Sequence, residues 1–194
     1  TLQLRRAEDG ELIRERNLGT QIVDYDFTPD GKYIVVSANS RLKILNANTL
    51  DDFKNIKLQD TNDLLSGTNL TVSISPDGGR LAVSAVVADI HNPKKIYIFD
   101  LITYTLLKII EKDDGINNKN LDYVQFSPDG RFLATAQRLY PYSITIYDAD
   151  TYEPYWYPDN NDINGSEQGN VNYIKFSNNS ALLAVANGFG EKGS

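Results

Sequence analysis

The chain has 194 residues, of which 41% are hydrophobic and 23% are charged, so it can bury a sizeable core and is not expected to be disordered. Its net charge of −7 and its lack of a basic patch argue against nucleic-acid binding, and the absence of cysteine excludes disulfides, thiolate metal sites and a cysteine nucleophile. No apolar run approaches the length of a membrane span, so we expect no membrane insertion; the composition is compatible with the cytoplasm or with bacterial export.

A short motif recurs four times after a polar opening segment, residues 1–16. The first copy starts at Tyr25 and reads Y-D-F-T-P-D-G, the second starts at Val72 and reads V-S-I-S-P-D-G, and the third starts at Val124 and reads V-Q-F-S-P-D-G. A decayed fourth copy, I-K-F-S-N-N-S, starts at Ile174. Copies at a regular interval of roughly 50 residues indicate a structural repeat.

Each repeat reads as four β-strands. The first ends in the motif, and its Pro-Asp-Gly forms a tight turn. The second is short and apolar, with small residues that suit a crowded position near a central axis; the third alternates apolar and polar residues, and the fourth is more polar. The repeat units are approximately 20–58, 69–110 and 120–157, with partial units at 1–16 and 170–188.

The turn sequence Ser-Pro-Asp-Gly and third strands that end in Phe99-Asp100 or Tyr147-Asp148 resemble WD40-like and YVTN-type propeller repeats. The resemblance implies an all-β fold, a β-propeller of four-stranded antiparallel blades. The chain lacks the Gly-His and Trp-Asp pairs of orthodox WD40 repeats, and its only tryptophan, Trp156, lies in a fourth strand. It therefore resembles the degenerate, bacterial-style repeats.

The repeat phase divides residues 1–194, taken as one propeller domain or a fragment of one, into half a blade, three whole blades and half a blade. Residues 1–16 match a third and a fourth strand, and the last repeat stops after its second strand. Three assemblies are compatible with this phase: a closed four-bladed ring, a homodimeric eight-bladed ring, and a segment of a longer ring. We favour the last, because an isolated half ring would expose two sheet edges.

Two expectations concern the repeated positions. The Pro-Asp-Gly turns at 29–31, 76–78 and 128–130 should be exposed and lie on one face. The apolar residues at the centre of the motif should be buried between adjacent sheets, and Tyr147 and Trp156 should also serve packing. The central apolar residues are Phe27, Ile74, Phe126 and Phe176.

The candidate binding surface lies in the loops. The inter-blade loops 59–69, 111–120 and 158–170 are long, polar and unlike one another, and with the loop 86–94 they are expected to open on one face, where recognition is typical. His91, the only histidine, would need a partner such as Asp89 or the more distant Asp113 to act in catalysis, and we interpret it as a surface residue of its loop. The candidate binding residues are His91, Asp113, Asp114, Tyr140, Tyr142, Asp159 and Asp162.

No catalytic motif is present, so the sequence predicts a non-catalytic binding or scaffold module that recognises a protein or peptide and uses no cofactor or metal. One alternative is a propeller hydrolase or lactonase whose site is completed by blades outside this chain. Another is a structural surface or virion component. Residues 160–165 resemble the front half of a Ca²⁺ loop but lack its closing Glu, so we interpret them as a polar turn.

Overall fold

The computed structural model describes residues 1–38, 41–56, 70–85, 94–112, 121–137, 144–156 and 169–189. These residues form β-strands and turns, without a helix. The strands, numbered in chain order, are β1 (Leu2–Arg5), β2 (Leu12–Arg16), β3 (Ile22–Phe27), β4 (Tyr33–Ala38), β5 (Arg41–Asn46), β6 (Asp52–Ile56), β7 (Leu70–Ile74), β8 (Arg80–Ala85), β9 (Lys94–Asp100), β10 (Leu106–Lys112), β11 (Leu121–Phe126), β12 (Phe132–Gln137), β13 (Ile144–Asp148), β14 (Pro154–Trp156), β15 (Gly169–Phe176) and β16 (Leu183–Phe189).

The described strands form five antiparallel sheets in chain order, three four-stranded meanders with a two-stranded hairpin before and after them. Sheet I is β1-β2, sheet II is β3-β4-β5-β6, sheet III is β7-β8-β9-β10, sheet IV is β11-β12-β13-β14 and sheet V is β15-β16. The all-β prediction with four-stranded antiparallel units is therefore confirmed, including the two-stranded sheet at either end. Short local connections of this kind follow from the tight turns that separate the apolar runs.

The four motif turns have the same pattern of side-chain hydrogen bonds. In sheet IV the hydroxyl of Ser127 donates to the Asp129 carboxylate at 2.6 Å and accepts from the N–H of Phe132 at 2.9 Å. Thr28, Ser75 and Ser177 make the same pair of contacts in sheets II, III and V. The motif is therefore a side-chain-locked turn, which explains why a hydroxyl and an Asp or Asn recur two residues apart.

The decayed fourth copy keeps this geometry. Ser180 has a φ of 59° where Gly31, Gly78 and Gly130 have φ values of 68°, 75° and 77°. A left-handed backbone is unfavourable for a residue with a Cβ, so Ser180 adopts it because the surrounding hydrogen bonds define the turn. The sequence therefore decayed at this position without losing the fold of the turn.

The turns lie side by side along one edge of the molecule. A Cβ placed on Gly78 would lie 3.4 Å from Cδ of Pro29, and one placed on Gly130 would lie 3.2 Å from Cγ of Pro76. The N–H of Asp129 donates to Ser180 Oγ at 3.0 Å, which joins the third turn to the fourth. The expectation that the exposed Pro-Asp-Gly turns share one face is confirmed.

Adjacent sheets pack face to face through apolar clusters. Ile74, Phe126 and Phe176 are buried against the preceding sheet, as predicted, and Tyr147 is buried between sheets III and IV. Burial of such side chains supplies the main favourable free energy of a fold of this kind. Trp156, by contrast, is exposed, so its predicted role in packing is wrong.

The prediction for Phe27 is also wrong. Phe27 is 45% exposed, whereas the equivalent Phe126 is 5% exposed. Sheet I contacts sheet II through the cluster of Leu2 with Ile34 and Leu45, and it provides no first or second strand to cover the Phe27 side of β3. The side chain is exposed because its burial depends on a neighbouring strand, not on the motif itself.

The prediction that the second strands lie nearest a central axis is also wrong. Among the described residues, the groove between sheets II, III, IV and V is lined by the first strands β3, β7, β11 and β15. The second strand β4 lies between β3 and β5 and is buried on both faces, with Val35 and Val36 both fully inaccessible. Small residues in second strands therefore reflect sheets packed on both faces, where little side-chain volume is available.

The described strands do not close into a ring. Sheets I and V remain separate, and no pairing joins β1 or β2 to β15 or β16. The composite blade required by a closed four-bladed ring is therefore not formed in this chain.

Candidate functional site

The residues that the sequence analysis selected for binding lie outside the described residues. This applies to His91, Asp113, Asp114, Tyr140, Tyr142, Asp159 and Asp162, and to the 160–165 segment. The described strands that lead into these segments all end at the edge opposite the motif turns, because consecutive strands of each sheet are antiparallel. The positions where the segments join the sheets are consistent with the expected loop face.

The described residues form a different candidate site, a groove of about 370 Å³ between the first strands of sheets II, III, IV and V. We call it the central groove. Tyr25, Tyr123 and Tyr173 are among the lining residues, and the rings of Tyr123 and Tyr173 contact each other edge to face at 6.2 Å between ring centres. The charged and amide groups in the lining are Asp24, Asp26, Gln125 and Lys175.

Two aspartates in the groove connect sheet II to sheet III. The Asp24 carboxylate accepts the N–H of Val72 at 2.9 Å, and the Asp26 carboxylate accepts the N–H of Ile74 at 2.7 Å. Each aspartate also accepts the N–H of the residue that follows it. Both carboxylates are therefore used to satisfy backbone donors along the first strand of the next sheet.

The same contact recurs at the next two interfaces. Ser73 Oγ accepts the N–H of Phe126 at 3.0 Å, and Gln125 Oε1 accepts the N–H of Phe176 at 2.8 Å. Asp26, Ser73 and Gln125 each precede the central apolar residue of the motif, so one position in the repeat provides an inter-sheet acceptor. Sheet V has Lys175 there, and an ammonium group cannot accept a hydrogen bond.

The electrostatics of the two aspartates follow from their position. Burial is the largest influence and raises the pKa of Asp24 and of Asp26, while the donated N–H groups of Val72 and Ile74 partly offset it. Lys175 also lowers the pKa of Asp26, across the groove. Neutral acceptors perform the same role in sheets III and IV, so the charge is not needed for the structural contact.

The two groove carboxylates are engaged by backbone donors. Among the described residues, no group of three or more His, Cys, Asp or Glu side chains could hold a metal ion. Within the same ranges, no helix is long and apolar enough to cross a membrane. A groove with three tyrosines, an amide and charges of both signs can bind a polar, extended chain.

Sequence reasoning missed the inter-sheet acceptors. The available signal was the residue immediately before the motif's apolar centre, which is Asp26, Ser73 or Gln125 and always an acceptor in the first three copies. It also missed Arg16 and Arg80, which contact the next sheet. These contacts join residues 34 or more positions apart, so local patterns do not reveal them.

The described residues therefore form a repeated all-β structure of antiparallel sheets. No family model matches the chain, and no curated protein matches its sequence.

Proposed function

We propose that this chain is a non-catalytic binding or scaffold module, built as part of a WD40-like β-propeller, that recognises a protein or peptide through the edge opposite the motif turns. The observation that carries the proposal is the asymmetry of the two edges. At one edge, the four motif turns lie next to one another and are joined by contacts between neighbouring turns. At the opposite edge, the strands lead into the long segments whose sequences differ from one repeat to the next.

Rigidity supports this division of roles. The hydrogen bonds within each turn, the contacts between turns and the acceptors between first strands fix the sheets relative to one another. Variable segments on a rigid scaffold are where recognition occurs in many folds, because sequence changes there leave the core intact. Extended peptides are bound with little reorganisation of such a scaffold.

The hydrolase or lactonase alternative rests on Asp24 and Asp26, which line the groove and have raised pKa values. Raised carboxyl pKa values occur at catalytic sites, but they also occur at buried structural contacts. Because both carboxylates accept backbone N–H groups from sheet III, the structural role accounts for them. An enzyme would need further groups from outside the described residues.

The test selects peptides from a random displayed library against the chain and measures their affinity for two variants. The loop variant carries Tyr140→Ser and Tyr142→Ser, and the control variant carries Asn48→Ser, at an exposed position of the turn edge outside any groove lining. We expect a selected peptide to lose at least about tenfold in affinity for the loop variant and to bind the control as it binds the parent. Peptides that distinguish neither variant, or only the control, would contradict the proposed face.

The same protein is assayed against ester and lactone substrates. The binding-module proposal expects no turnover above that of the solvent. Hydrolysis that disappears in Asp24→Asn or Asp26→Asn would instead establish the enzymatic alternative.

A further inference from the structure

Arginine side chains connect two pairs of neighbouring sheets at equivalent turns. Between sheets III and IV, Arg80 Nη1 donates to the carbonyl oxygen of Ala149, in the turn that joins the third and fourth strands of sheet IV. The same nitrogen lies 3.4 Å from Asp150 Oδ1 and 3.4 Å from the Tyr152 hydroxyl. The guanidinium also lies 5.7 Å from the ring centre of Phe126.

Sheets I and II are connected in a related way. Arg16 Nη1 donates to the carbonyl oxygen of Leu50, in the corresponding turn of sheet II, and its Nη2 lies 3.1 Å from Asp52 Oδ2. We call the turn between the third and fourth strands of a sheet its outer turn. At both interfaces, a guanidinium therefore contacts a carbonyl oxygen of the outer turn and a nearby carboxylate. The planar guanidinium suits such sites because it donates in several directions from one plane.

The interface between sheets II and III differs. Tyr33 occupies the position of Arg80, since each N–H bonds the hydroxyl five residues earlier, of Thr28 and Ser75 respectively. The Tyr33 ring packs on Phe53 of its own sheet at 4.5 Å between centres. Among the described residues, no arginine reaches the outer turn of sheet III, residues 101–104, from sheet II.

A groove of about 310 Å³ lies at this interface, and we call it the turn-edge groove. Tyr33 and Tyr104 line it together with Leu101, which is equivalent to Ala149. The charged residues in its lining are two carboxylates, Asp30 and Asp77.

Like the surroundings of Arg80 one interface further on, the groove offers aromatic rings, the backbone of the turn between the third and fourth strands, and acidic groups. Its carboxylates come from the motif turns, whereas Asp150 comes from the turn of sheet IV, and Asp30 also pairs with Lys32 at 3.0 Å.

The Tyr104 ring already interacts with a cation. The ammonium of Lys54, an exposed residue of β6 that does not line the groove, lies 5.2 Å from the ring centre of Tyr104. Rings that attract ammonium or guanidinium groups do so through their negative faces. This contact shows that the ring is electrostatically suited to a positively charged ligand.

We propose that the turn-edge groove binds an arginine side chain presented by a partner peptide. The guanidinium takes the place that Arg80 fills between sheets III and IV, stacks against Tyr33 or Tyr104, and donates to the backbone of the 101–104 turn and to the rim carboxylates. This surface lies on the edge opposite the one proposed for the variable segments, so the two proposals stand or fall separately.

The probe is a blocked glycine-rich peptide with one central arginine, titrated into isotope-labelled protein and followed by the amide NMR signals of Gly78 and Leu101. We expect saturable shifts at both amides. Replacing the arginine with citrulline, which keeps the shape and removes the charge, should weaken binding by at least about tenfold, and replacing it with lysine should weaken it less. Equal affinity for arginine and citrulline, or no shift at either amide, would overturn the proposal.

Variants localise the site. Tyr33→Arg puts a guanidinium at the Arg80-equivalent position, so it should abolish the peptide shifts while circular dichroism and the melting temperature show a folded protein. Tyr155→Arg adds the same charge at a 65% exposed tyrosine of sheet IV and should bind as the parent does. Lys54→Ala removes the competing cation and should strengthen binding, and this variant keeps the proposal testable if Tyr33→Arg fails to fold. Weaker binding in Lys54→Ala, or a loss in Tyr155→Arg, would count against the groove.

Discussion

Single residues in the first strands show how one position can stabilise a repeat by different chemistry. Asp26, Ser73 and Gln125 present a carboxylate, a hydroxyl and an amide to the same kind of backbone N–H in the next sheet. The shared requirement is an acceptor of suitable length, since a buried N–H without a partner is costly. The sequence alone does not reveal this role, because a carboxylate, a hydroxyl and an amide share no obvious residue pattern until their contacts are known.

Substitutions of Asp26 test this requirement. Asp26→Ala removes the acceptor for the N–H of Ile74 and should lower the free energy of unfolding by about 1–3 kcal/mol. Asp26→Asn keeps an acceptor oxygen for the N–H of Ile74 and removes a charge that burial disfavours, but its amide accepts only one of the two N–H groups that the carboxylate accepts. At neutral pH we therefore expect a smaller loss for Asp26→Asn than for Asp26→Ala. Urea unfolding of the two variants measures both values. A loss in Asp26→Asn as large as in Asp26→Ala would show that the charge itself matters.

The pH dependence of stability follows from the directions of the pKa shifts. Burial raises the pKa of Asp24 and Asp26, so the folded state binds their protons more tightly than the unfolded state does. Their contribution to stability therefore falls as pH rises from 3.8, the unfolded value, through the raised folded value. The stability of the double variant Asp24→Asn/Asp26→Asn relative to the parent should therefore rise across this window, whatever the difference below it. A gain that is greatest in acid would contradict this assignment.

Asp30 has the opposite sign. Hydrogen bonds from Thr28 and Lys32 lower its pKa to about 2, so its contribution is present above the unfolded value of 3.8 and is lost as pH falls towards 2. Asp30→Asn should therefore lose stability relative to the parent at neutral pH and converge with it near pH 2. Parallel pH profiles for the two proteins would exclude a role for the carboxylate charge.

At the scale of elements, the turns are the part of the fold that sequence predicts best. The Pro-Asp-Gly turn was predicted, because it depends on residues within six positions of one another, as the hydrogen bonds of Ser127 with Asp129 and Phe132 show. Burial of Phe27 and the location of the second strands were predicted wrongly, because both depend on which sheet lies beside the strand. The small residues of β4 are explained by two packed faces, which local patterning does not distinguish from a position at an axis.

Two glycine substitutions separate the turn from its neighbour. Gly31→Ala and Gly130→Ala both place a Cβ on a left-handed backbone, which costs roughly 1–2 kcal/mol. The Gly130 Cβ would also lie 3.2 Å from Cγ of Pro76, whereas the Gly31 Cβ would have nothing within 4 Å. We therefore expect Gly130→Ala to be the more destabilising variant in thermal unfolding. Equal losses of stability would mean that Pro76 moves away from the added Cβ without a measurable change in the free energy of unfolding.

At the scale of the whole molecule, the first strands of sheets III, IV and V pack against a preceding sheet, whereas one face of β3 has no such neighbour in the described part of the chain. Phe126 and Phe27 hold the same place in the repeat, yet one is buried and the other is exposed. Tyr25, on the same face as Phe27, is 54% exposed, so the two rings form an apolar surface where interior sheets have a neighbour. Sequence periodicity predicts the repeat unit, but the presence of that neighbour is a property of the assembly.

A matched pair of truncations measures this difference. Phe126→Ala should cost about 3–5 kcal/mol, the usual range for a buried phenylalanine, whereas Phe27→Ala should cost less than about 1 kcal/mol in the isolated chain. Urea unfolding at low protein concentration, where chains do not associate, gives both values. Similar losses in the two variants would show that Phe27 is covered in solution by part of the chain.

We expect the uncovered face of β3 to promote association between chains at high protein concentration. Apolar side chains on an unpartnered sheet face lower their free energy by packing against another chain, so sedimentation of the parent should show higher apparent mass as concentration rises. Phe27→Lys puts a charge at the centre of this surface and should shift the distribution towards monomer. Ile102→Lys adds the same charge at a 79% exposed residue of the outer turn of sheet III, away from β3, and should sediment as the parent does. If both variants sediment alike, or if the parent is monomeric at every concentration, the face of β3 does not drive association and its exposure is tolerated in water.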